Sequence, residues 1–380
     1  MLIGQEIIVV GAGIAGLAVA RALALRGAGV TVLEQAPAIA EVGAGLQISP
    51  NGAAVLRALG LGDALDRVGL RNQAVTLHNA NGAALLRMDT SLRDFRLCHR
   101  ADLITMLATG AVEAGVTLRL GAAVSDISAG QITLTTAEVL QARLIIGADG
   151  VKSQIRQLLN GRAAPSFTRQ VAWRATIPGD AGLLEAQVFM GPGRHLVSYP
   201  LRGGALRNIV AVEERRDWAA EGWSHRDDPA NLRAAFAGFG GPVPGWLAQV
   251  AETHLWGLFR HSVARSMAAD GMTLIGDAAH PTLPFLAQGA NLALEDAWVL
   301  AEALATYDHP SAALAAYSAA RTPRVNRIVN AANNNARIYH ARGLRQFVLH
   351  SAFRIASLMA SNLPLSRFDW LYSHDVTRHA

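Results

Sequence analysis

Three glycines near the start of the chain are spaced for binding a phosphate group. Gly11, Gly13 and Gly16 form a G-x-G-x-x-G pattern directly after the apolar run EIIVV, residues 6–10, and open a run rich in Ala and Leu. In this setting the first glycine allows a tight turn, the second lets the backbone approach a pyrophosphate, and the third lets helix and strand pack closely. The N–H groups at the helix start then face the anion. The pattern predicts dinucleotide binding.

An acidic residue supports this interpretation. Glu34 ends the next strand-like run, VTVLE at residues 30–34. A carboxylate at this position binds ribose hydroxyls and disfavours a ribose 2′-phosphate. The ligand is therefore expected to be NAD-like or FAD, and these residues alone do not separate the two.

A second glycine-containing segment lies far along the chain. Residues 274–297, LIGDAAHPTLPFLAQGANLALEDA, contain an apolar run, a Gly-Asp pair, a His-Pro pair and a Gln-Gly-Ala-Asn turn before an acidic helix. A dehydrogenase with a separate catalytic domain would not need such a segment. His280 is the obvious candidate for a catalytic base in this segment.

The elements that must position these residues are of two kinds. Strands and helices typical of a parallel α/β sheet begin the chain and return near residues 145 and 272. Between them, strands are predicted at 168–178, 185–190, 195–200 and 205–214, with a hairpin at 74–79 and 84–88 around Asn81-Gly82. Helices are predicted at 228–252 and at about 290–306, 312–340 and 345–360. We therefore expect an α/β fold, with a discontinuous Rossmann-like domain, an inserted antiparallel β-sheet domain and C-terminal helices.

Composition limits the class of protein. A chain of 380 residues suggests about two domains, and 51% hydrophobic with 17% charged residues is typical of a globular protein. The net charge of +5 comes from scattered Arg residues without a basic block, which fits a small acidic ligand better than nucleic acid. The one cysteine, Cys98, excludes an internal disulfide and a cysteine-based metal site, so we expect no metal and a reducing cytoplasm. Neither a signal peptide nor a membrane span is expected.

Five stretches along nearly the whole chain carry a resemblance to a known family. They are GAGIAGLAVA…VLEQAP (11–37), VGAGLQISPN (42–51), HRADL (99–103), GADGVKSQIR (147–156) and GDAAHPTLPFLAQGANLALEDA (276–297). Together they resemble the class A flavoprotein aromatic hydroxylases, in the branch of salicylate hydroxylase and 6-hydroxynicotinate 3-monooxygenase. DWLYSHD (369–375) also looks like the end of that branch. The order and spacing of the five stretches are specific, whereas none of them would be alone.

The resemblance implies a non-covalently bound FAD and assigns residues to it. Arg100 matches an arginine on the flavin side, Asp149 belongs to a motif associated with FAD and the nicotinamide, and Asp277 matches the residue that binds the ribityl chain. The segment 288–291 matches one that runs along the flavin ring, and the resemblance implies that His280 is part of the structural frame and not a base. The full set of implied cofactor-binding residues is Gly11, Gly13, Ala15, Gly16, Glu34, Gln35, Gly45, Leu46, Arg100, Val124, Asp149, Asp277, Pro284, Gly289, Ala290 and Asn291.

The resemblance also implies domain limits. An FAD-binding domain is expected from residues 1–73, 99–165 and 265–340, and a substrate domain with a β-sheet wall from 74–98 and 166–264. Residues 341–380 are expected to form a C-terminal helical segment. Apolar positions at helical spacing within 345–372 suit a helix that closes over the core, or alternatively a membrane-surface or homodimer helix.

The reaction implied by the resemblance has two halves. NADH or NADPH, bound transiently, reduces FAD; reaction with O2 then gives a C4a-hydroperoxide that hydroxylates a small aromatic or heteroaromatic acid or phenol. A base, or a chain to solvent, helps by deprotonating a phenolic substrate. Alternation along the predicted strand places His195, Val197 and Tyr199 on one face. The candidates for facing the ring are Gln47, Trp173, Arg174, His195, Tyr199 and Pro284, of which Gln47, His195 and Tyr199 are the catalytic candidates.

Gln47 marks a departure from the family pattern. The 6-hydroxynicotinate enzymes carry His at this place, and Gln cannot act as a base at neutral pH. The base therefore lies elsewhere, or the substrate arrives as an anion. Two alternatives remain open: the same chemistry on a larger polycyclic, quinolone or antibiotic-like substrate, and a flavin-binding protein without turnover. The intact Asp149-Gly150 pair and segment 276–291 argue against the second alternative.

Overall fold

The structure, a computed structural model, describes residues 2–39, 45–179, 182–216, 225–359 and 366–378, without the side chains of residues 334–337 and 358–359. The strands are β1 (Glu6–Val10), β2 (Gly29–Leu33), β3 (Gly45–Ile48), β4 (Gly69–Arg71), β5 (Ala74–Asn79), β6 (Ala84–Asp89), β7 (Arg96–His99), β8 (Thr117–Arg119), β9 (Val124–Ser128), β10 (Gln131–Leu134), β11 (Val139–Gln141), β12 (Leu144–Gly147), β13 (Ser166–Pro178), β14 (Ala186–Gly191), β15 (Arg194–Leu201), β16 (Leu206–Glu214), β17 (Arg226–Asp227), β18 (Thr253–Arg260), β19 (Ala268–Ala269) and β20 (Met272–Leu274).

Helices occupy most of the rest of the described chain. They are α1 (Ile14–Ala24), α2 (Pro50–Ala58), α3 (Gly62–Val68), α4 (Arg100–Glu113), α5 (Gln154–Asn160), α6 (Pro229–Ala235), α7 (Val243–Ala248), α8 (Gly289–Thr306), α9 (Pro310–Tyr339), α10 (Gly343–Met359) and α11 (Asp369–Tyr372). Short 3₁₀ helices lie at Arg202–Gly204, Gly276–Ala278 and Pro284–Leu286.

One sheet is built from segments far apart in the chain. Its strand order is β19-β20-β12-β1-β2-β8, and all neighbours from β20 to β8 run parallel. Four residues of β1 are buried, as expected for a central parallel strand whose sequence is a continuous apolar run. Helix α1 carries Ala at most of its turns, and this small-residue surface packs against α4 and α8. The prediction that parallel elements return near 145 and 272 is confirmed.

A larger sheet forms a wall beside the first one. Its order is β17-β18-β13-β16-β15-β14-β5-β6, and its described pairs are antiparallel except for β14 with β5. The predicted hairpin, β5 and β6, joins this sheet at one end. One face of the sheet packs on α6 and α7 through a cluster that includes Trp173, Phe189 and Trp246. The mixed α/β architecture is thus present, whereas the domain limits given above stay a prediction.

The prediction of one helix across residues 228–252 is wrong. The segment forms two short helices, α6 and α7, interrupted at the glycines and proline of residues 238–242. A side chain at Gly240 would place its Cβ 2.7 Å from the carbonyl oxygen of Asn81, so this turn lies directly against the hairpin of β5 and β6. Strand β18, which follows, was also missed; it pairs with β13 and extends the wall.

The C-terminal helices close one side of the molecule. Helix α10 packs against β6, and Phe353 joins the apolar cluster beneath it. The opposite face of α10 leaves Leu344, Phe347, Val348 and Ile355 exposed. Among the described residues no helix is long and apolar enough to cross a membrane. A homodimer stays a prediction.

Candidate functional site

A cavity of about 910 Å³ lies where the two large sheets meet. On one side it is bounded by the residues at the carboxyl ends of β1, β2 and β12, which is where open α/β sheets bind their ligands. On the other side it is bounded by one face of β5, β14, β15 and β16. The cavity therefore joins the predicted nucleotide loop to the predicted substrate wall.

The three glycines of the first loop have different surroundings. Gly11 has φ +103°, and a Cβ there would lie 2.4 Å from the carbonyl oxygen of Ala148. A Cβ at Gly16 would lie 1.9 Å from the carbonyl oxygen of Gly11. A Cβ at Gly13 would meet nothing within 4 Å, and this glycine faces the cavity at the start of α1. The loop is thus tightly packed at Gly11 and Gly16 and open to the cavity at Gly13, which fits a pyrophosphate bound at the start of α1.

Glu34 is fixed at the wall of the same cavity. Its Oε2 accepts a hydrogen bond from the backbone N–H of Ala12 at 2.8 Å, and its Oε1 accepts one from Ala36 at 2.9 Å. These two bonds orient the carboxylate while leaving each oxygen a further lone pair. Gln35 and Val124 line the cavity beside it. This end of the cavity fits the ribose and base of a nucleotide.

The other end of the cavity is built by the segment 274–297. Gly276 has φ +56°, and a Cβ there would lie 2.8 Å from the Cβ of Ala15, so this segment packs against α1. Asp277 lines the cavity; burial raises the pKa of its carboxyl group, an effect opposed by His280, Arg100 and His261. Helix α8 begins at Gly289, which places free N–H groups at the cavity wall. Such a helix start stabilises negative charge, as a reduced flavin carries.

Asp149 supplies a buried acceptor between these two ends. Its Oδ2 accepts a hydrogen bond from the backbone N–H of Gln154 at 2.8 Å, whereas Oδ1 is buried without a partner in the described structure. Burial raises the pKa of this carboxyl group. A buried acceptor without a partner beside a cavity is what a bound hydroxyl would satisfy.

Most of the expected cofactor-binding residues reach the cavity wall, and two do not. The residues that line it are Gly11, Gly13, Ala15, Glu34, Gln35, Gly45, Leu46, Arg100, Val124, Asp149, Asp277, Pro284, Gly289 and Ala290. Gly16 is packed against the loop behind it. Asn291 is buried, accepts a hydrogen bond from Ser49 N and donates to the Gln47 carbonyl oxygen, so it positions β3 instead. Residues 42–44 of the expected stretch lie outside the described residues.

His280 does not face the cavity. It is buried, and its Nε2 lies 2.5 Å from Oδ2 of Asp296, which also accepts a hydrogen bond from the backbone N–H of Gly276. The carboxylate thus ties the histidine to α8. This geometry agrees with the structural interpretation of His280.

The catalytic candidates lie on the substrate wall. His195, Val197 and Tyr199 all line the cavity from alternate positions of β15, as predicted. Burial raises the pKa of the Tyr199 phenol, against the opposing charge of Arg174. Gln47 lines the cavity from β3. Around these polar groups the wall is apolar, with residues that include Leu77, Val188, Val210, Val212 and Phe285.

The placement of Trp173 in the pocket is wrong. Successive residues of a strand point to opposite faces of the sheet, so Arg174 lines the cavity whereas Trp173 is buried on the other side. There its Nε1 donates to Oδ2 of Asp227 at 2.6 Å. The guanidinium of Arg174 lies 3.8 Å from the ring centroid of Trp256.

Residues that sequence reasoning missed complete the cavity. Tyr339 and Phe353 reach it from α9 and α10, and Tyr372 from α11. His340 lies behind the wall, with Nε2 at 2.7 Å from Nδ1 of His195. Tyr372 lies within the stretch DWLYSHD quoted above, whereas Tyr339, His340 and Phe353 belong to no motif and had only the apolar spacing of the C-terminal helices as a signal.

Comparison with known proteins agrees with this geometry. Residues 5–332 match the family described as FAD binding domain. The chain is 34% identical to a 3-amino-4-hydroxybenzoate 2-monooxygenase of Streptomyces platensis, covering 98% of this chain and 96% of that protein. It is 33% identical to a 3-hydroxybenzoate 6-hydroxylase of Klebsiella oxytoca, with 96% of each covered. A solved salicylate hydroxylase substrate complex has the same fold, with a TM-score of 0.82 at 22% identity and 99% and 97% of the two chains covered.

The family match and the two relatives together span nearly the whole chain. They include the glycine loop, Glu34 and the segment 274–297, whose geometry fits the two ends of one dinucleotide. The glycine loop leaves space for a pyrophosphate at one end of the cavity, and the start of α8 lies at the other end. The chain belongs to the family of FAD-binding flavoprotein monooxygenases, and FAD is its cofactor.

Proposed function

We propose that this protein hydroxylates a small aromatic acid that carries a hydroxyl group, using NADH or NADPH and O2. The observation that carries the proposal is the continuity of the cavity from the glycine loop to a wall that combines apolar side chains with Arg174, His195 and Tyr199. The relatives named above act, by their names, on hydroxylated benzoic acids. Apolar faces with a few directed polar groups are typical of pockets for such small ligands.

FAD supplies the redox chemistry when bound: it accepts hydride from the nicotinamide and passes one oxygen atom of O2 to the ring. The protein holds the cofactor at both ends. Glu34 and the N–H groups at the start of α1 suit its ADP half, whereas Asp277 and the N–H groups at the start of α8 suit the flavin half. The buried carboxyls and apolar residues around the flavin end exclude water.

The substrate wall suits an anionic ring. Arg174 lines the cavity, and its guanidinium, which lies over the ring of Trp256, would bind the carboxylate of the substrate. The aliphatic side chains of β14, β15 and β16 would contact the ring. His195 would accept the phenolic proton, because Gln47 cannot act as a base. Burial, followed by the neighbouring His340, lowers the pKa of His195 well below its usual value, so its imidazole is neutral at neutral pH. The same shift disfavours an imidazolium there, so His195 would have to pass the proton on as it accepts it.

A substrate panel tests the proposal. Purified protein loaded with FAD would be mixed with 2-hydroxybenzoate, 3-hydroxybenzoate or 3-amino-4-hydroxybenzoate, and NADH oxidation, hydroxylated product and hydrogen peroxide would be measured together. We expect one of these acids to accelerate NADH oxidation with stoichiometric product. Acceleration that yields only peroxide would contradict the proposal, and product from a quinolone but from none of the acids would favour the larger-substrate alternative.

The role of Arg174 has a test of its own. Arg174→Met should raise KM for the accepted acid by about 10- to 100-fold, the size of a lost charge-assisted contact of roughly 1.5–3 kcal/mol. For phenol analogues without a carboxylate, the same substitution should raise KM much less. The matched control is Arg119→Met, because Arg119 lies outside the cavity and pairs with Glu138 at the surface. An equal rise in KM for acids and for phenols would refute the contact between Arg174 and the substrate carboxylate.

A further inference from the structure

A line of hydrogen-bonding groups leads from the cavity to the surface of the protein. His195, which lines the cavity, has its Nδ1 at 2.7 Å from Nε2 of His340. The Nδ1 of His340 lies 3.2 Å from Oε1 of Glu214. Both imidazoles are buried, whereas the Glu214 side chain is 38% exposed. The three groups therefore connect the substrate wall with solvent across the edge of the sheet.

The surroundings of His340 hold this line in place. The Nη2 of Arg342 donates to Oε2 of Glu214 at 2.5 Å, which leaves Oε1 for the histidine. The side-chain Nε2 of Gln170, from β13, lies 3.3 Å from the same Nδ1; an amide N–H can donate there only when Nδ1 carries no proton, so this contact competes with the shorter one to Glu214. The rings of Phe285 and Tyr339 pack against His195. Among the described residues, Glu214 and Arg342 are the charged groups that act on His340, and Arg342 is the cation that faces the carboxylate.

The carboxylate fixes the direction of the hydrogen bonds. An ionised carboxylate only accepts, so the proton of neutral His340 lies on Nδ1, facing Glu214. The Nε2 of His340 then accepts a hydrogen bond, and the proton of His195 lies on Nδ1. The remaining lone pair of His195 is on Nε2, which makes no hydrogen bond among the described residues. Glu214 thereby leaves His195 with a basic nitrogen that no group in the described part of the chain occupies.

We propose that His195, His340 and Glu214 form a proton relay that carries the phenolic proton of the substrate from the cavity to solvent. The inference rests on the proposed function. Nε2 of His195 takes the proton from the phenol, and its Nδ1 proton passes to Nε2 of His340. The Nδ1 proton of His340 passes to Glu214 and from there to water. One proton enters at the cavity and one leaves at the surface, the substrate becomes a phenolate, and nothing is oxidised or reduced. His340 and Glu214 act through His195 and are positioning residues.

The titration of the two histidines agrees with this arrangement. Burial lowers the pKa of His340, although Glu214 opposes the shift, and burial together with His340 lowers the pKa of His195. Both groups are then neutral at neutral pH, and an imidazolium is disfavoured at either ring, so each ring must lose its Nδ1 proton as it gains one on Nε2. A neutral pair can pass a proton along without storing charge in the buried wall.

The direction of the relay can be measured without any substrate. In FAD-loaded protein with ¹⁵N-labelled histidine, long-range ¹H–¹⁵N spectra distinguish Nδ1–H from Nε2–H tautomers, with assignment by His195→Gln and His340→Gln. We expect both histidines as Nδ1–H tautomers. Glu214→Met, which removes the acceptor at an exposed position, should release this preference at both rings. The matched control, Glu213→Met, should change neither, because Glu213 pairs with Arg215 and Arg194 instead.

The tautomer spectra can overturn the relay by themselves. A proton on Nε2 of His195 in the unsubstituted protein would remove its basic nitrogen from the cavity. Unchanged tautomers in Glu214→Met would show that the carboxylate does not set the direction.

Kinetics test whether the proton uses the path. For the hydroxybenzoate that the enzyme accepts, Glu214→Met should lower kcat at neutral pH on the order of 10-fold, with KM little changed. This is less than the roughly 100-fold or more of a direct acid or base, because Glu214 acts through His340 and His195. The rate should recover as the pH approaches the pKa of the phenol itself, about 10. An equal loss at every pH would indicate a structural role and refute the relay. If no hydroxybenzoate is hydroxylated, the proposed function fails, whereas the tautomer spectra still decide the relay.

Discussion

The glycines of the first loop show how one residue type does different work at neighbouring positions. Gly11 and Gly16 are required by the protein itself, because a Cβ at either would overlap a backbone carbonyl. Gly13 has an ordinary negative φ of −76° and open space where its Cβ would be. The protein alone does not need glycine there, and a ligand against the loop would.

A pair of substitutions separates these roles. Gly13→Val should leave the melting temperature of the FAD-free protein nearly unchanged and should lower FAD affinity by at least about 10-fold, since its side chain would enter the space of the pyrophosphate. Gly16→Ala should instead lower the melting temperature of the FAD-free protein. Flavin absorbance after dialysis and thermal unfolding measure the two effects. Normal FAD retention by Gly13→Val would contradict the placement of the pyrophosphate.

Two buried histidines differ in what their surroundings allow. His280 is bound by the carboxylate of Asp296 away from the cavity, whereas His195 reaches the cavity and hydrogen-bonds a second neutral imidazole. Residue type alone would favour either as a base. Position relative to the cavity favours His195.

At the scale of elements, a buried ion cluster joins α8 to α9. Arg321 donates to Glu295 and to Asp296 at 2.7 Å each, and Arg324 donates to Glu295 at 2.6 Å. Burial raises the pKa of Asp296, but His280 and Arg321 outweigh burial and hold that pKa well below its usual value. Since His280 follows β20, the cluster fixes the start of α8 relative to the parallel sheet, and with it the wall at the flavin end.

Removing the central cation should destabilise the fold. Arg321→Met removes the cation that Glu295 and Asp296 share and leaves them only Arg324 and His280 as charged partners; breaking a buried ion pair in this way costs about 3–5 kcal/mol. The free energy of unfolding in urea measures the loss. Arg119→Met, at an exposed ion pair, should have little effect on the same quantity. Equal effects of the two substitutions would show that the cluster is not a main link between α8 and α9.

The same cluster predicts a dependence of stability on pH. The folded pKa of Asp296 lies below its unfolded value of about 3.9, so the carboxylate contributes stability above that pH and loses the contribution as the pH falls towards the folded pKa. Unfolding free energies measured from pH 6 downwards should therefore fall below about pH 4. Asp296→Asn, which cannot ionise, should show a shallower fall, and an unchanged slope would contradict the assignment.

At the scale of the whole molecule, the cavity is shared by two sheets that have separate apolar clusters. A ligand that fills the cavity contacts loops of the parallel sheet and the face of the wall at once. Bound FAD would therefore stabilise the packing of the two sheets against each other, and not only the glycine loop that it contacts.

Loss of FAD should lower the melting temperature, and its return should restore it, because we propose non-covalent binding. At about 100 times its dissociation constant, FAD should add roughly 2.7 kcal/mol to the free energy of unfolding. ADP at the same free concentration, which can occupy only the nucleotide end and so binds more weakly, should give a smaller shift. A shift from ADP as large as that from FAD would show that the flavin end contributes no stability. Differential scanning fluorimetry measures all three states.

The sequence by itself determined the features that depend on near neighbours in the chain. The spacing of Gly11, Gly13 and Gly16 fixes a turn, and alternation along β15 places His195 and Tyr199 on one face, because both follow from local backbone geometry. The parallel strands near residues 145 and 272 could be predicted because each is a local run of apolar residues. Gly and Pro at 238–242 were equally local, and reading them as a break would have corrected the helix predicted there.

Only the tertiary structure decided which residues meet across long distances in the chain. The face of β13 that meets the cavity, and so the choice of Arg174 over Trp173, depends on which side of the sheet α6 and α7 cover. His340, which follows α9, contacts His195, and Glu214, at the end of β16, contacts His340; no spacing in the sequence encodes these contacts. Hydrogen bonds between residues far apart in the chain form only when the helices and strands that carry them pack together. The cofactor loop could therefore be predicted from the sequence, whereas the path from the cavity to solvent could not.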